Sequence, residues 1–303
     1  MSEVSKLKFP KGVITATLTP IQVDGSVDHT LLADHCKSLI DRGGDGIALL
    51  GTTGEANSFS AEERRVILEQ LIGNGFDPNR MIVGTGTCSL TETVSLTRHA
   101  VQSGVAGILL MPPFFYRDVT EEGLFRYFAS LIEMVGDTDL RIYLYHFPKM
   151  SGIDMSLDLV AKLKSAFPEI IVGMKDSCGN LAHMLQVMEA IPDFRLYAGT
   201  EKYLADVVRN GGAGCISATT NYKVEAAAAV YKDIIDGIDH SENEALMIAY
   251  RESFEGHNFA AALKGVLAKE QDREVWNILR PPLDSLSAED IDRVISLLGK
   301  VGQ

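Results

Sequence analysis

The feature that most constrains this chain is a rhythm. Short apolar segments recur at residues 12–19, 46–51, 81–86, 107–111, 141–147, 170–175, 195–199 and 214–218. They are too short for typical helices and rich in Ile, Val, Leu and Tyr. They run apolar on both faces, as buried parallel strands do. Helical patterns lie between them. Ser60-Ala61-Glu62-Glu63 has the capping-box form and opens an amphipathic run through Leu71. Further runs cover 91–101, 120–134, 156–167, 180–191, 202–208 and 222–238. Strand-helix alternation implies a parallel sheet with helices outside it. Eight units over about 240 residues predict an α/β fold, a (β/α)8 TIM barrel. A doubly wound open sheet would use fewer strands. Beyond Ile238 the pattern turns helical, at 242–254, 259–268 and 288–298. The expected organisation is a catalytic barrel over residues 1–238 and a C-terminal helical extension over 239–303.

Composition excludes several classes. The chain has 28 Lys plus Arg against 41 Asp plus Glu, a net charge of -13. That disfavours nucleic acid and anionic lipid as partners, because both demand a basic footprint. A small anionic substrate stays possible, since local donors outweigh a diffuse charge. No apolar run approaches the roughly 20 residues that span a bilayer. Met1 to Lys6 lack the apolar stretch of a signal peptide. Cys36, Cys88, Cys178 and Cys215 are scattered without a CxxC pair. A cytoplasmic, reducing compartment is the expectation. The seven histidines form neither HxH nor HExxH spacing, so no metal is expected, although distant ligands can still converge. His99 and His183 sit in helical patterns and read as surface or core residues.

Active sites of such barrels lie at the C-terminal strand ends. The second segment runs into Gly51-Thr52-Thr53-Gly54-Glu55. This tight turn can present N–H groups and hydroxyls to an anion, or can be an ordinary glycine turn with a threonine cap. The sixth ends at Lys175. A lysine closing an apolar run either snorkels outward or works as a desolvated amine that attacks a carbonyl. Moving its pKa from about 10.4 to about 7–8 takes on the order of 3–5 kcal/mol of environmental bias. Tyr143 and Tyr145 share one face by period two. Tyr145 is a proton shuttle or a packed core tyrosine. Pro112-Pro113-Phe114-Phe115-Tyr116 is an aromatic loop that packs locally or reaches a neighbouring subunit.

Together the Gly51-Thr52-Thr53-Gly54-Glu55 turn, Tyr145 followed by Pro148 and Gly152, and Lys175 carry a resemblance. From Gly12 to about Leu298 the chain resembles the dihydrodipicolinate synthase / N-acetylneuraminate lyase family of Schiff-base aldolases. The resemblance implies Lys175 as the lysine that condenses with a 2-oxo acid, so that the covalent Schiff base takes the place of any cofactor. It implies Tyr145 as proton shuttle, and Thr52 and Thr53 as holders of the substrate carboxylate, with Thr53 also in the proton relay. Tyr116 is similar to the relay tyrosine lent across a dimer interface. Gly199 and Ile216 fall where pocket backbone groups lie. A homotetramer built as a dimer of dimers is implied.

Departures bear on the subfamily. Synthases of the family carry an arginine where this chain has Met150, and methionine cannot form a bidentate carboxylate contact. Lys149 beside it is expected to point away. His146 replaces a common asparagine. Ala56, Ala61 and Cys88 lack the polar groups expected of a lysine-binding regulatory site. The leading expectation is a Schiff-base lyase on pyruvate-derived 2-oxo acids such as 2-keto-3-deoxy sugar acids. The alternatives are dihydrodipicolinate synthase, condensing pyruvate with aspartate semialdehyde, and a catalytically silent 2-oxo acid binding relative.

Overall fold

The computed structural model describes residues 9–302; Met1 to Lys6, read above for a leader, lie outside the described residues. Eight parallel strands close into a barrel in sequence order. They are β1 (Gly12–Ala16), β2 (Gly46–Leu49), β3 (Met81–Gly84), β4 (Gly107–Leu110), β5 (Ile142–His146), β6 (Ile171–Asp176), β7 (Arg195–Ala198) and β8 (Gly214–Ser217). β8 pairs with β1 through Gly12–Gly214 to Thr15–Ser217 and closes the ring. All eight expected segments are strands, each shorter than its apolar run or shifted by one residue. The runs extend into the loops at the active end, where an apolar residue is still buried.

Alternation sorts the strand side chains into two layers. Ile14, Ile82, Leu109, Tyr143 and Tyr197 fill the barrel interior. Phe9 closes one end of it, its ring 5.4 Å from that of Tyr143. Val13, Ile47, Val83, Ile108 and Leu144 face outward and meet the helices. The helices follow the expected caps. Ser60 and Glu63 form the full capping box of helix Ala61–Gly73. Thr120, Ser156 and Asn180 cap Glu121–Val135, Leu157–Ala166 and Leu181–Ala190.

One long helix has no counterpart among the expected runs. His29–Asp41 follows β1 and is capped by the Asp28 side chain, which accepts from the Leu31 N–H. Its signal was present, since Leu31, Leu32, His35, Cys36 and Leu39 recur on the buried face. The C-terminal helices Ser241–Glu252, Phe259–Gln271 and Ala288–Leu298 do not build a separate core. Leu18 and Leu31 of the barrel share a buried cluster with Leu263, Val266, Trp276 and Val294.

β6 carries an irregularity that decides the site. Its register against β5 shifts between Ile142 and Tyr143, so Ile142 faces Ile171 but Tyr143 faces Gly173. Val172 belongs to the interior layer, and a Cβ on Gly173 would meet the Tyr143 ring at 2.8 Å. Two successive residues thus face inward, and alternation past the bulge turns Lys175 into the barrel.

Candidate active site

Tyr145 and Lys175 are register partners at the ends of β5 and β6. Both point inward and both are nearly inaccessible, 4% and 5% exposed. The Lys175 ammonium donates to the Tyr145 hydroxyl at 3.3 Å. Its Nζ lies 4.4 Å from the centre of the Tyr145 ring. The Thr52 hydroxyl meets the same Tyr145 oxygen at 3.2 Å. Amine, phenol and alcohol therefore form one line across the strand ends. A carbonyl carbon beside Nζ would have a proton donor and acceptor within reach.

These three groups open into a cavity of about 680 Å³, lined also by Thr53, Ser177, Gly199 and Met150. Of the two threonines, Thr52 is the one whose hydroxyl meets Tyr145. Thr53 lines the cavity, and no contact of its hydroxyl with Tyr145 is found among the described residues. Ile216, expected for its backbone groups, lies fully buried in the barrel interior, and Ala218, two residues on, reaches the cavity wall. Lys149 does not point away; it borders the cavity beside Met150. The short helix Pro148–Ser151 explains this, because its single turn brings both side chains to one rim. Tyr116 is 72% exposed and stacks edge-on against Phe115 at 5.2 Å, outside the cavity of its own chain.

The extension supplies a wall that the motifs did not reveal. Arg251, His257, Asn258 and Phe259 line the cavity opposite the strand ends. Arg251 lies over the Phe259 ring at 4.1 Å and bonds Glu201 at 3.3 Å. Glu201 in turn accepts from the Ser217 and Thr219 hydroxyls. Arg251 and Phe259 sit in helices and His257 and Asn258 in the turn between them, all far from any strand end, which gave no sequence signal of a pocket role.

The turn holding Thr52 is anchored from the same side. Glu55 takes a left-handed backbone, φ 58°. Its carboxylate bonds Lys264 at 2.5 Å and the Arg280 N–H at 3.0 Å, with both charged side chains fully buried. Burial pulls the Lys264 amine below its ordinary value, and Glu55 opposes that shift.

Behind the strand ends, outside the barrel, the next register pair is His146 and Asp176. Burial alone would push the Asp176 carboxyl up, but His146 and His183 outweigh it and hold it well below the carboxylate range. His183 Nδ1 donates to Asp176 Oδ2 across 2.7 Å. His183 lies in helix Leu181–Ala190 as its pattern predicts, with its ring turned to Asp176. His146, Asp176, Cys178 and His183 converge, the case of distant ligands that spacing alone leaves open.

Comparison with known proteins agrees with this geometry. A model of the dihydrodipicolinate synthetase family matches residues 9–300. The chain belongs to the dihydrodipicolinate synthase family. A protein of Chloroflexus aurantiacus, described as an uncharacterized DapA-like lyase, is 34% identical over 283 residues, 93% of this chain and 94% of its own. The putative 2-dehydro-3-deoxy-D-gluconate aldolase YagE of Escherichia coli K12 is 32% identical over 230 residues, 75% of this chain and 74% of its own. The crystal structure of dihydrodipicolinate synthase from Agrobacterium tumefaciens superposes with a TM-score of 0.87 at 30% identity, covering 97% of this chain and 100% of that one. YagE, solved in complex with pyruvate, gives the same TM-score at 28% identity, with 96% of this chain and 98% of that one covered. Membership in the dihydrodipicolinate synthase family makes the chain a lyase of the class I aldolase type. No helix among the described residues is long and apolar enough to cross a membrane.

Proposed function

We propose that the chain cleaves or dehydrates pyruvate-derived 2-oxo acids of the 2-keto-3-deoxy sugar acid class through a Schiff base on Lys175. The observation that carries this reading is the line Lys175 Nζ, Tyr145 hydroxyl, Thr52 hydroxyl at the floor of the cavity. Neutral Nζ attacks the C2 carbonyl while the Tyr145 hydroxyl gives its proton to the forming C2 oxygen and takes one from Nζ. The same hydroxyl then protonates the C2 hydroxyl, which leaves as water, so that the carbinolamine becomes an iminium and Tyr145 a tyrosinate. The C4 hydroxyl then gives its proton to Tyr145 as the C3–C4 bond breaks. The bonding electrons enter the iminium, an aldehyde leaves, and a pyruvate enamine remains. Protonation at C3 and hydrolysis return pyruvate and free Lys175. Dehydration follows the same iminium: the Tyr145 oxygen takes a C3 proton to give the enamine and returns it to the C4 hydroxyl, which leaves as water as the enamine electrons form the C3–C4 double bond. Thr53 and the Thr52 N–H side of the turn face the substrate carboxylate. No cofactor is required by this scheme.

Met150 favours this over dihydrodipicolinate synthase, because a thioether at the rim cannot pair with a second carboxylate. One feature favours the synthase reading: Lys149, Lys202 and Arg251 also border the cavity, and a cation there can receive the carboxylate of aspartate semialdehyde. Lys202 is held by Glu252 and Glu255, and Arg251 by Glu201, which weakens that option.

We further infer a cytoplasmic homotetramer, a dimer of dimers. An exposed Phe115–Tyr116 tip supports it, as does the absence of any cysteine pairing. Reduction with borohydride in the presence of pyruvate, followed by peptide mass spectrometry, tests the chemistry. An adduct on Lys175 is expected; none, where a known relative is labelled, overturns the reading in favour of a silent binding relative. Turnover of aspartate semialdehyde above that of a panel of 2-keto-3-deoxy acids would reverse the order of the two enzyme readings.

A further inference from the structure

The strand ends that carry Tyr145 and Lys175 inward carry His146 and Asp176 outward. Cys178 follows in the loop after β6, and His183 sits in the first turn of helix Leu181–Ala190. One ligand-type atom from each of the four residues lies within 4.8 Å of the others. We propose that these four side chains form a binding site for a borderline-soft divalent cation, best fitted by Zn2+, that clips the ends of β5 and β6 to the following helix.

Several features distinguish this cluster from a surface coincidence. His146 is 2% and Asp176 0% exposed. The His146 Nε2 faces Asp154 Oδ1 at 2.7 Å. That bond leaves Nδ1 directed at the cluster, the carboxylate–histidine arrangement that orients an imidazole toward a metal. Nδ1 is buried and makes no hydrogen bond, lying 3.3 Å from Asp176 Oδ1. It is thus a buried nitrogen without a hydrogen bond, facing the Asp176 carboxylate and the other ligand atoms of the cluster. The Asn180 N–H points at Cys178 Sγ across 3.3 Å, and so supports a thiolate. The His146 and His183 rings stand 5.0 Å apart, centre to centre.

Donor chemistry selects the ion. Two imidazoles, a thiolate and a carboxylate are ligands for Zn2+, whereas Mg2+ and Ca2+ take oxygen. With neutral imidazoles, the thiolate and carboxylate balance the two positive charges. Binding displaces protons, the thiol proton and any imidazole proton facing the centre, into solvent. The Asp176–His183 contact must then open from 2.7 Å to the ligand–ligand separation of a tetrahedral site, on the order of 3.3 Å from bond lengths near 2.0–2.3 Å. The ion faces away from the barrel interior, so the site is structural and separate from the carbonyl chemistry at Lys175.

The competing account is a metal-free hydrogen-bonded network of the same groups, and cobalt separates the two. Full-length protein stripped with a chelator and titrated with Co2+ should take up one equivalent per chain at micromolar concentration. It should show a thiolate-to-cobalt charge-transfer band, and Zn2+ should bleach it. Cys178→Ser should abolish the band, and His183→Gln should weaken Co2+ binding at least tenfold. Far-UV circular dichroism and pyruvate trapping on Lys175 would check that both variants fold. Should Cys178→Ser not fold, the wild-type protein gives an independent reading. Zn2+ should protect half-buried Cys178 from alkylation while exposed Cys88 reacts unchanged. No stoichiometric binding, a band that survives Cys178→Ser, or equal alkylation of Cys178 with and without Zn2+ would each overturn the site. None of these readouts depends on turnover, so the site can fail while the Schiff-base reading stands.

Discussion

A lysine amine that is 5% exposed and hydrogen-bonded to a phenol meets a carbonyl with little competing water. Substitutions along the line Lys175, Tyr145, Thr52 should therefore separate capture from turnover. Lys175→Ala should yield no borohydride adduct at all. Tyr145→Phe keeps the ring that packs against Nζ and removes the hydroxyl. It should still trap pyruvate slowly, while turnover falls about 100- to 10,000-fold, the range for a lost general acid/base. Comparing adduct formation with kcat checks this; an unchanged kcat would remove Tyr145 from the relay. Thr52→Val should also lower kcat, and more than Thr53→Val does, because only Thr52 touches the phenol. At the rim, Met150→Arg should raise kcat/KM for aspartate semialdehyde about tenfold or more, the value of one charge-assisted hydrogen bond. Steady-state assays with that aldehyde decide it, and no gain would mean that the rim does not set specificity.

The turn holding Thr52 and Thr53 is held by an element from the far end of the chain. Glu55 sits in a left-handed conformation with its carboxylate fully buried against Lys264. Removing one member of a buried ion pair strands the other charge, typically at a cost of about 3–5 kcal/mol. Lys264→Met should lower unfolding stability by that order in urea titrations. The double variant Lys264→Met with Glu55→Leu should lose less than the sum of the single changes. Strict additivity would show that the pair is not coupled. Much of this level was legible in sequence. Eight strands and their caps follow from apolar runs and from local signals such as Ser60 with Glu63. The Thr-Thr turn, Tyr145 and Lys175 could be found because motifs lie at strand ends. What escaped depends on coordinates that spacing does not carry. The bulge in β6 aims Lys175 inward, Arg251 reaches the cavity from the extension, and His146, Asp176, Cys178 and His183 meet only after β5 and β6 pair.

At the scale of the whole molecule, barrel and extension share a buried cluster, and His35 lies in their joint. Its ring stands 5.0 Å from that of Trp276 in the extension. Its Nε2 meets the Asn221 side-chain oxygen at 2.9 Å, the same oxygen that accepts the Leu18 N–H beyond β1. Asn221 completes the joint by donating to the Ala16 carbonyl. Burial lowers the imidazole from 6.5 to about 4, against the opposing bond to Asn221. The unfolded chain therefore takes up a proton between these values that the folded chain refuses. Stability contributed by neutral His35 is complete above pH 6.5 and is lost progressively as pH falls toward 4, by about 3 kcal/mol in all. His35→Gln keeps a donor for Asn221 and removes the titration. Its urea midpoint should fall less steeply than that of the parent between pH 6.5 and 4, while the two run parallel above pH 7. Parallel curves throughout would show that some other group carries the acid sensitivity of the joint.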